Sequence, residues 1–125
     1  MSRIGQDEQR EERIHMDVIV DAHDAEEQAM GWYYYLQDKM RFPSQARCVR
    51  ERTISPLRVG EVVEIQGMAD VDDCQMEMFV IIKWSERTFG VPLMQLEGVD
   101  VDAETEEAIA DWHYWVGRGY RLCGW

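Results

Sequence analysis

The chain lacks basic residues over two long stretches, and both stretches are rich in carboxylates. No lysine or arginine occurs in residues 15–38 or 97–111. A shorter acidic segment, residues 70–73, lies between them. Because like charges repel, such clustering destabilises a fold unless something offsets it. A cation is the simplest offset, and oxygen-rich clusters suit Ca²⁺ best, so the pattern favours calcium binding.

Other absences exclude several classes of protein. No apolar run approaches the length of a membrane span, and the polar residues 1–13 are not a signal peptide. Cys48, Cys74 and Cys123 have no CxxC spacing, which favours reduced thiols in a cytoplasmic protein. Nucleotide-binding, serine-hydrolase and zinc-protease motifs are missing, so we do not expect an enzyme. The net charge of −12 argues against nucleic acids and membrane surfaces as partners.

The composition that is present indicates a folded chain. Hydrophobic residues make up 46% of the 125 positions, and five tryptophans and five tyrosines accompany them, which is too many aromatics for a disordered chain. Residues 1–14 are polar and charge-mixed, and they predict a flexible tail. We expect residues 15–125 to form a single domain and the protein to be a monomer.

Hydrophobic spacing predicts two helices with a β region between them. The first helix covers residues 22–40 with Asp21 as its N-cap, and the second covers 103–116 with Asp102 as its N-cap. Residues 45–101 change to short apolar runs separated by turn residues. Five strands are predicted there, at residues 46–53, 61–68, 76–84, 88–92 and 97–101. We therefore predict an α+β fold, in which an N-terminal and a C-terminal helix flank a small five-stranded SH3-like β-barrel.

Several strings of residues are distinctive enough to indicate a family. They are AMGWYYYLQD at 29–38, FP at 42–43, GMADVDDC at 67–74 and DVDAETEEAIADW at 100–112. Together they resemble the cyanobacterial calcium-binding protein family involved in heterocyst differentiation, over roughly residues 18–120. The resemblance implies an acidic, cytoplasmic calcium buffer that is not built from EF-hands. It also implies metal ligands at the acidic positions inside these strings, namely Asp38, Asp70, Asp72, Asp73, Asp100 and Asp102.

The spacing of the acids agrees with the absence of an EF-hand. That loop needs glycine at its sixth position, where a loop starting at Asp100 would have Thr105. A site must therefore be assembled from distant segments. In an SH3-like barrel the first and last strands pair antiparallel, which would bring Asp38, before the first strand, close to Asp100 and Asp102 after the last. The alternative is that Asp102 is only a helix cap and Asp38 only a solvated side chain.

A second candidate site is the loop that carries Asp70, Asp72 and Asp73. Alternating carboxylates and loop carbonyls offer several oxygen ligands on one short segment. The alternative is an acidic, solvated turn without a ligand. For both candidate sites we expect mutual repulsion to raise the pKa of some carboxylates when calcium is absent.

Two functions remain open at this point. The first is a cytoplasmic Ca²⁺ buffer or sensor that captures the ion with clustered carboxylates. The second is an acidic interaction module whose barrel binds a basic protein partner. The tryptophans and tyrosines do not decide between them, because their helical spacing predicts packing of the helices on the sheet.

Overall fold

The computed structural model describes residues 7–20 and 22–120. Helix α1 spans Glu8–Arg13 and continues into one π-helical turn, Ile14–Val18. Helix α2 spans Ala25–Lys39, and helix α3 spans Ala103–Gly117. The strands between α2 and α3 are β1 Ser44–Cys48, β2 Val62–Met68, β3 Phe79–Trp84, β4 Arg87–Pro92 and β5 Leu96–Val99. Two 3₁₀ turns, Val71–Cys74 and Leu93–Gln95, complete the described elements.

The two predicted helices are present with nearly the predicted bounds. Asp102 caps α3 as expected, because its carboxylate accepts the backbone N–H of Thr105 at 3.3 Å. Helix α2 begins later than predicted, because its N-cap is Asp24, which accepts from the N–H of Glu27 at 2.8 Å. The predicted cap, Asp21, lies outside the described residues.

The strands form one antiparallel sheet in the order β4-β3-β2-β1-β5. As predicted, the first and last strands pair antiparallel, with Gln45 opposite Val99 and Cys48 opposite Leu96. The α+β class is confirmed, but the expected closed barrel is not, because the sheet stays open and β4 and β5 are its two edges. Within the described residues, β5 packs against α3 and does not pair with β4.

Tryptophan side chains of α2 and α3 form the contact between the two helices. Trp32 and Trp112 are almost fully buried, and their ring centroids lie 5.1 Å apart in an edge-on arrangement. Trp115 lies 5.6 Å from each of them. Edge-on and tilted pairs at this spacing are favourable beyond their buried area. Most aromatic residues at helical spacing are therefore packing residues, as predicted, whereas Tyr34 is exposed.

The N-terminal segment differs from the predicted tail. Residues 8–13 are helical, and their arginines reach a carboxylate about 100 positions away. Asp111 of α3 is fully buried and accepts from Arg10 at 2.7 Å and from Arg13 at 2.7 and 3.0 Å. The hydroxyl of Tyr35 in α2 donates to the same carboxylate at 2.7 Å. This buried ion cluster orders the segment and joins α1, α2 and α3.

Candidate calcium sites

The end of α2 is tied to the start of α3 through a threonine. The N–H of Arg41, two residues past the end of α2, donates to the hydroxyl of Thr105 at 2.8 Å. That hydroxyl in turn donates to the Asp102 carboxylate at 2.5 Å. Because β1 and β5 pair directly beyond this link, the segments carrying Asp38, Asp100 and Asp102 lie next to one another in the fold.

The carboxylate of Asp102 is held in its ionised form. Its pKa is lowered from the usual value, mainly by the hydrogen bond from the Thr105 side chain, with smaller effects from backbone N–H groups and the Arg41 charge. Asp102 is therefore not one of the carboxylates whose pKa repulsion raises. An ionised carboxylate that accepts from Thr105 keeps further lone pairs for a cation.

Asp100 lies where the chain turns from β5 into α3. It has a φ of 54°, in the left-handed region that aspartate tolerates better than most residues. The turn is tightly packed, because a Cβ added to Gly98 would lie 2.7 Å from a methyl group of Val101. Asp100 is exposed at this turn, two residues before the helix cap.

Asp38 is exposed on the last turn of α2, and its neighbour there, Asp17, was not predicted. It lines a surface cavity of about 840 Å³ together with Asp17 of the π-helical turn, Gly31 and Tyr34. Across residues 7–20 and 22–120, no three His, Cys, Asp or Glu side chains are grouped so that they could hold a metal ion. Asp38 thus belongs to a segment close to Asp102, but the three predicted carboxylates are not assembled as a ligand shell.

The second predicted segment is an ordered turn. The Asp70 carboxylate accepts the N–H of Asp72 at 3.0 Å, and the Asp70 carbonyl accepts the N–H of Asp73 at 2.8 Å. The turn is anchored from α2, because the hydroxyl of Tyr33 donates to the carbonyl of Ala69 at 2.7 Å. All three aspartates are exposed, whereas Cys74 at the end of the turn is buried.

The pKa of Tyr33, whose hydroxyl anchors the turn, depends on the charges of this acidic turn. Burial raises the pKa of Tyr33, and the nearby charges of Cys74 and Asp70 raise it further. Tyr33 was not predicted as part of either site, although the triple-tyrosine string that contains it was recognised. Its partner is 36 positions away, so no local pattern could have indicated the contact.

The remaining candidate groups are structural. Cys48 and Cys74 are free and buried, and burial raises the pKa of both thiols. Cys123 lies outside the described residues. Burial lowers the pKa of His113, whose ring Nε2 lies 3.2 Å from the carbonyl of Leu93. None of the helices in the described part of the chain has both the length and the apolar character needed to span a bilayer.

The fold and these acidic turns define a small acidic α+β protein with exposed carboxylates on an ordered frame. A family model described as calcium binding, that of CcbP, matches residues 12–116. The crystal structure of Anabaena CcbP matches with 42% identity, a TM-score of 0.85, and coverage of 96% of this chain and 98% of that one. A calcium-binding protein in its calcium-binding form matches with 41% identity, a TM-score of 0.84 and the same coverage. No curated protein matches the sequence.

The chain belongs to the CcbP calcium-binding family, because the family model covers most of its length. This confirms the resemblance seen in the sequence, and it confirms Ca²⁺ as the ligand. The family is defined by calcium binding and not by a catalysed reaction, which agrees with the prediction that the protein is not an enzyme.

Proposed function

We propose that the protein is a cytoplasmic calcium buffer or sensor that captures Ca²⁺ with clustered carboxylates. The observation that carries the proposal is the contact from Arg41 through Thr105 to Asp102, because it holds the end of α2 against the start of α3. Carboxylates from two segments that are distant in sequence are thereby kept on adjacent parts of the fold. Calcium binding by an assembled, non-EF-hand site requires this proximity.

The principal site in this proposal uses Asp38, Asp100 and Asp102. Calcium takes six to eight oxygen ligands in flexible geometry, so backbone carbonyls and water complete the shell. Asp102 is already ionised and fixed by Thr105, which makes it the preformed ligand. Asp38 and Asp100 are exposed, so they are free to turn towards the ion. A second, weaker site uses Asp70, Asp72 and Asp73 on the turn that Tyr33 anchors.

Isothermal titration calorimetry on isosteric variants tests this assignment. Asp102→Asn removes the charge but keeps a good N-cap, so loss of calcium affinity would report the ligand and not the helix. Asp38→Asn and Asp100→Asn are expected to weaken the same binding event. A matched control is Glu86→Gln, which removes one exposed carboxylate from the β3–β4 turn.

The calcium affinities of these variants decide which aspartates are ligands. The proposal expects each of the three aspartate variants to lower the affinity of the tighter site by tenfold or more, about 1.4 kcal/mol or more, and the control to leave it unchanged. A variant carrying both Asp70→Asn and Asp72→Asn should affect only the weaker event. If Asp38→Asn binds calcium as the parent does, Asp38 is not a ligand.

A groove beside α3 favours the second candidate function, the binding of a basic protein partner. It has a volume of about 510 Å³, with Asp7, Glu97 and Glu106 around the apolar side chains of Ile109 and Ala110. Arg10 also lines it, and its guanidinium is paired with Asp111. Carboxylates around an apolar floor complement a basic segment with an apolar face. Under this function any divalent ion would act only as a general salt. A stabilisation by calcium that persists in excess magnesium would argue against it as the main role.

A further inference from the structure

Basic charge is concentrated in one part of this acidic chain. Residues 39–60 contain six of the 13 lysines and arginines, but only one of the 25 acids, Glu51. The segment therefore carries a charge of +5 within a chain of −12. It includes β1 and all but the last residue of the loop between β1 and β2, residues 49–61, which we call the β1–β2 loop. The loop itself holds Arg50, Arg52 and Arg58 together with Glu51 and Glu61.

The β1–β2 loop is held in place at several points. Leu57 is buried with 1% of its surface exposed. Gln95 is fully buried, and its side-chain amide donates to the backbone carbonyl of Arg50 at 3.0 Å. The backbone carbonyl of Gln95 accepts the N–H of Val49 at 2.6 Å. Arg52 forms two hydrogen bonds to the Glu77 carboxylate, at 2.8 and 3.0 Å. An ordered loop loses little conformational entropy when a partner binds.

This fixed loop exposes the side chains that protein interfaces prefer. Ile54 and Val59 are each 60% exposed. Arg50 and Arg58 are exposed, and within residues 7–20 and 22–120 neither guanidinium forms an ion pair, although the Glu61 carboxylate accepts the backbone N–H of Arg58 at 2.6 Å. Arginine is enriched in the centres of protein interfaces, and such interfaces also bury apolar side chains.

We propose that Arg50, Ile54, Arg58 and Val59 of the β1–β2 loop form a docking surface for an acidic protein segment with aliphatic side chains. Two guanidinium groups without a carboxylate partner are matched to carboxylates, which they can bind in bidentate geometry. The exposed Ile54 and Val59 would be covered by the aliphatic side chains of the same segment. Complementary charge then directs the partner to this face and away from the acidic remainder of the protein.

Other occupants fit these observations less well. A single-stranded nucleic acid needs aromatic side chains for base stacking, and the loop has none. Its phosphates would also be repelled by the net charge of −12. A second copy of the chain carries the same net charge of −12, so mutual repulsion opposes the association of two copies.

Fluorescence anisotropy tests the proposal in chelator, so that calcium binding does not enter the result. The probe is a fluorescein-labelled peptide of Glu-Glu-Leu repeats, compared with a Gln-Gln-Leu peptide of equal length. The test variant is the double substitution Arg50→Gln and Arg58→Gln. The matched control is Lys83→Gln and Arg87→Gln, which removes two exposed cations from the β3–β4 hairpin and changes the net charge equally.

The proposal expects the acidic peptide to bind the parent protein and the Gln-Gln-Leu peptide not to bind. The loop double variant should weaken binding of the acidic peptide about tenfold or more, and the hairpin variant should leave it within about twofold. Ile54→Ser with Val59→Ser should also weaken it, whereas Met16→Ser, an equally exposed apolar side chain on the π-helical turn, should not. Circular dichroism melts check that each variant is folded.

Three results would overturn the proposal. Equal weakening by the loop and hairpin double variants would show that only net charge matters. Tighter binding of a labelled oligothymidylate than of the acidic peptide, lost in the loop variant, would assign the surface to nucleic acid. Self-association in sedimentation velocity that the loop variant abolishes would show that a second copy occupies the surface.

Discussion

The buried ion cluster around Asp111 leads to a strong prediction about stability. Asp111→Asn keeps the size of the side chain but removes the negative charge that faces Arg10 and Arg13. Its amide N–H₂ would then point at donors, and two guanidinium groups would lose their shared partner. Removing one member of a buried ion pair typically costs about 3–5 kcal/mol, and since both arginines remain partly exposed we expect about 3 kcal/mol.

This loss is large compared with the usual stability of a small domain, about 5–15 kcal/mol. With an unfolding entropy of about 2.1 cal/mol/K per residue, it corresponds to a fall in Tm of about 11 °C for this chain. Urea denaturation followed by circular dichroism gives the free energy of unfolding directly. The control is Glu107→Gln, one turn earlier on α3, whose half-exposed carboxylate lies 3.6 Å from Arg13 and should contribute less than about 1 kcal/mol.

The comparison of Asp111→Asn with Glu107→Gln can refute the reasoning. If both variants lose less than about 1 kcal/mol, the cluster around Asp111 is not a stabilising buried pair. The N-terminal segment would then be only loosely attached, as the sequence first indicated.

Three further predictions concern single contacts. Gly31→Ala should destabilise the fold by about 2 kcal/mol or more in urea denaturation, because the added Cβ would lie 2.2 Å from the carbonyl oxygen of Val18. An unchanged free energy of unfolding would show that α2 and the π-helical turn separate easily. Tyr33→Phe should cost about 1 kcal/mol by removing the hydrogen bond to Ala69, and it should weaken only the second calcium event in calorimetry; a loss at the tighter event instead would contradict the assignment. Burial lowers the pKa of His113, so its contribution to stability is present above the unfolded pKa and is lost as pH falls through the folded value. The parent should therefore lose more stability than His113→Gln between pH 7.5 and 5.5, measured by thermal melts with chelator, and parallel losses would refute this.

Local patterns predicted most of the fold. The Asp102 cap follows from its own neighbours in sequence, and the five strands follow from short apolar runs between turn residues. The pairing of the first and last strands followed from the expected fold class. Closure of the sheet was not predictable in this way, because it depends on hydrogen bonds between β4 and β5 and on where α3 packs.

The candidate site was predictable only in part. The sequence identified which segments carry exposed aspartates, because charge and spacing are local properties. It missed the role of Asp111, whose arginine partners are 98 and 101 positions away, and it missed Asp17 as the neighbour of Asp38. It also predicted raised carboxylate pKa values from charge density alone, whereas one hydroxyl group from Thr105 lowers the pKa of Asp102.

The most direct test of the proposed calcium function is the melting temperature measured with calcium in the presence of excess magnesium. A ligand that binds only the folded protein stabilises it by about 2.7 kcal/mol at a hundredfold excess over Kd, which is about 10 °C for a chain of this length. We predict a rise of this order with calcium in the parent protein, and a much smaller rise in Asp102→Asn. A rise of the same size with magnesium alone, or an undiminished rise in Asp102→Asn, would contradict the account.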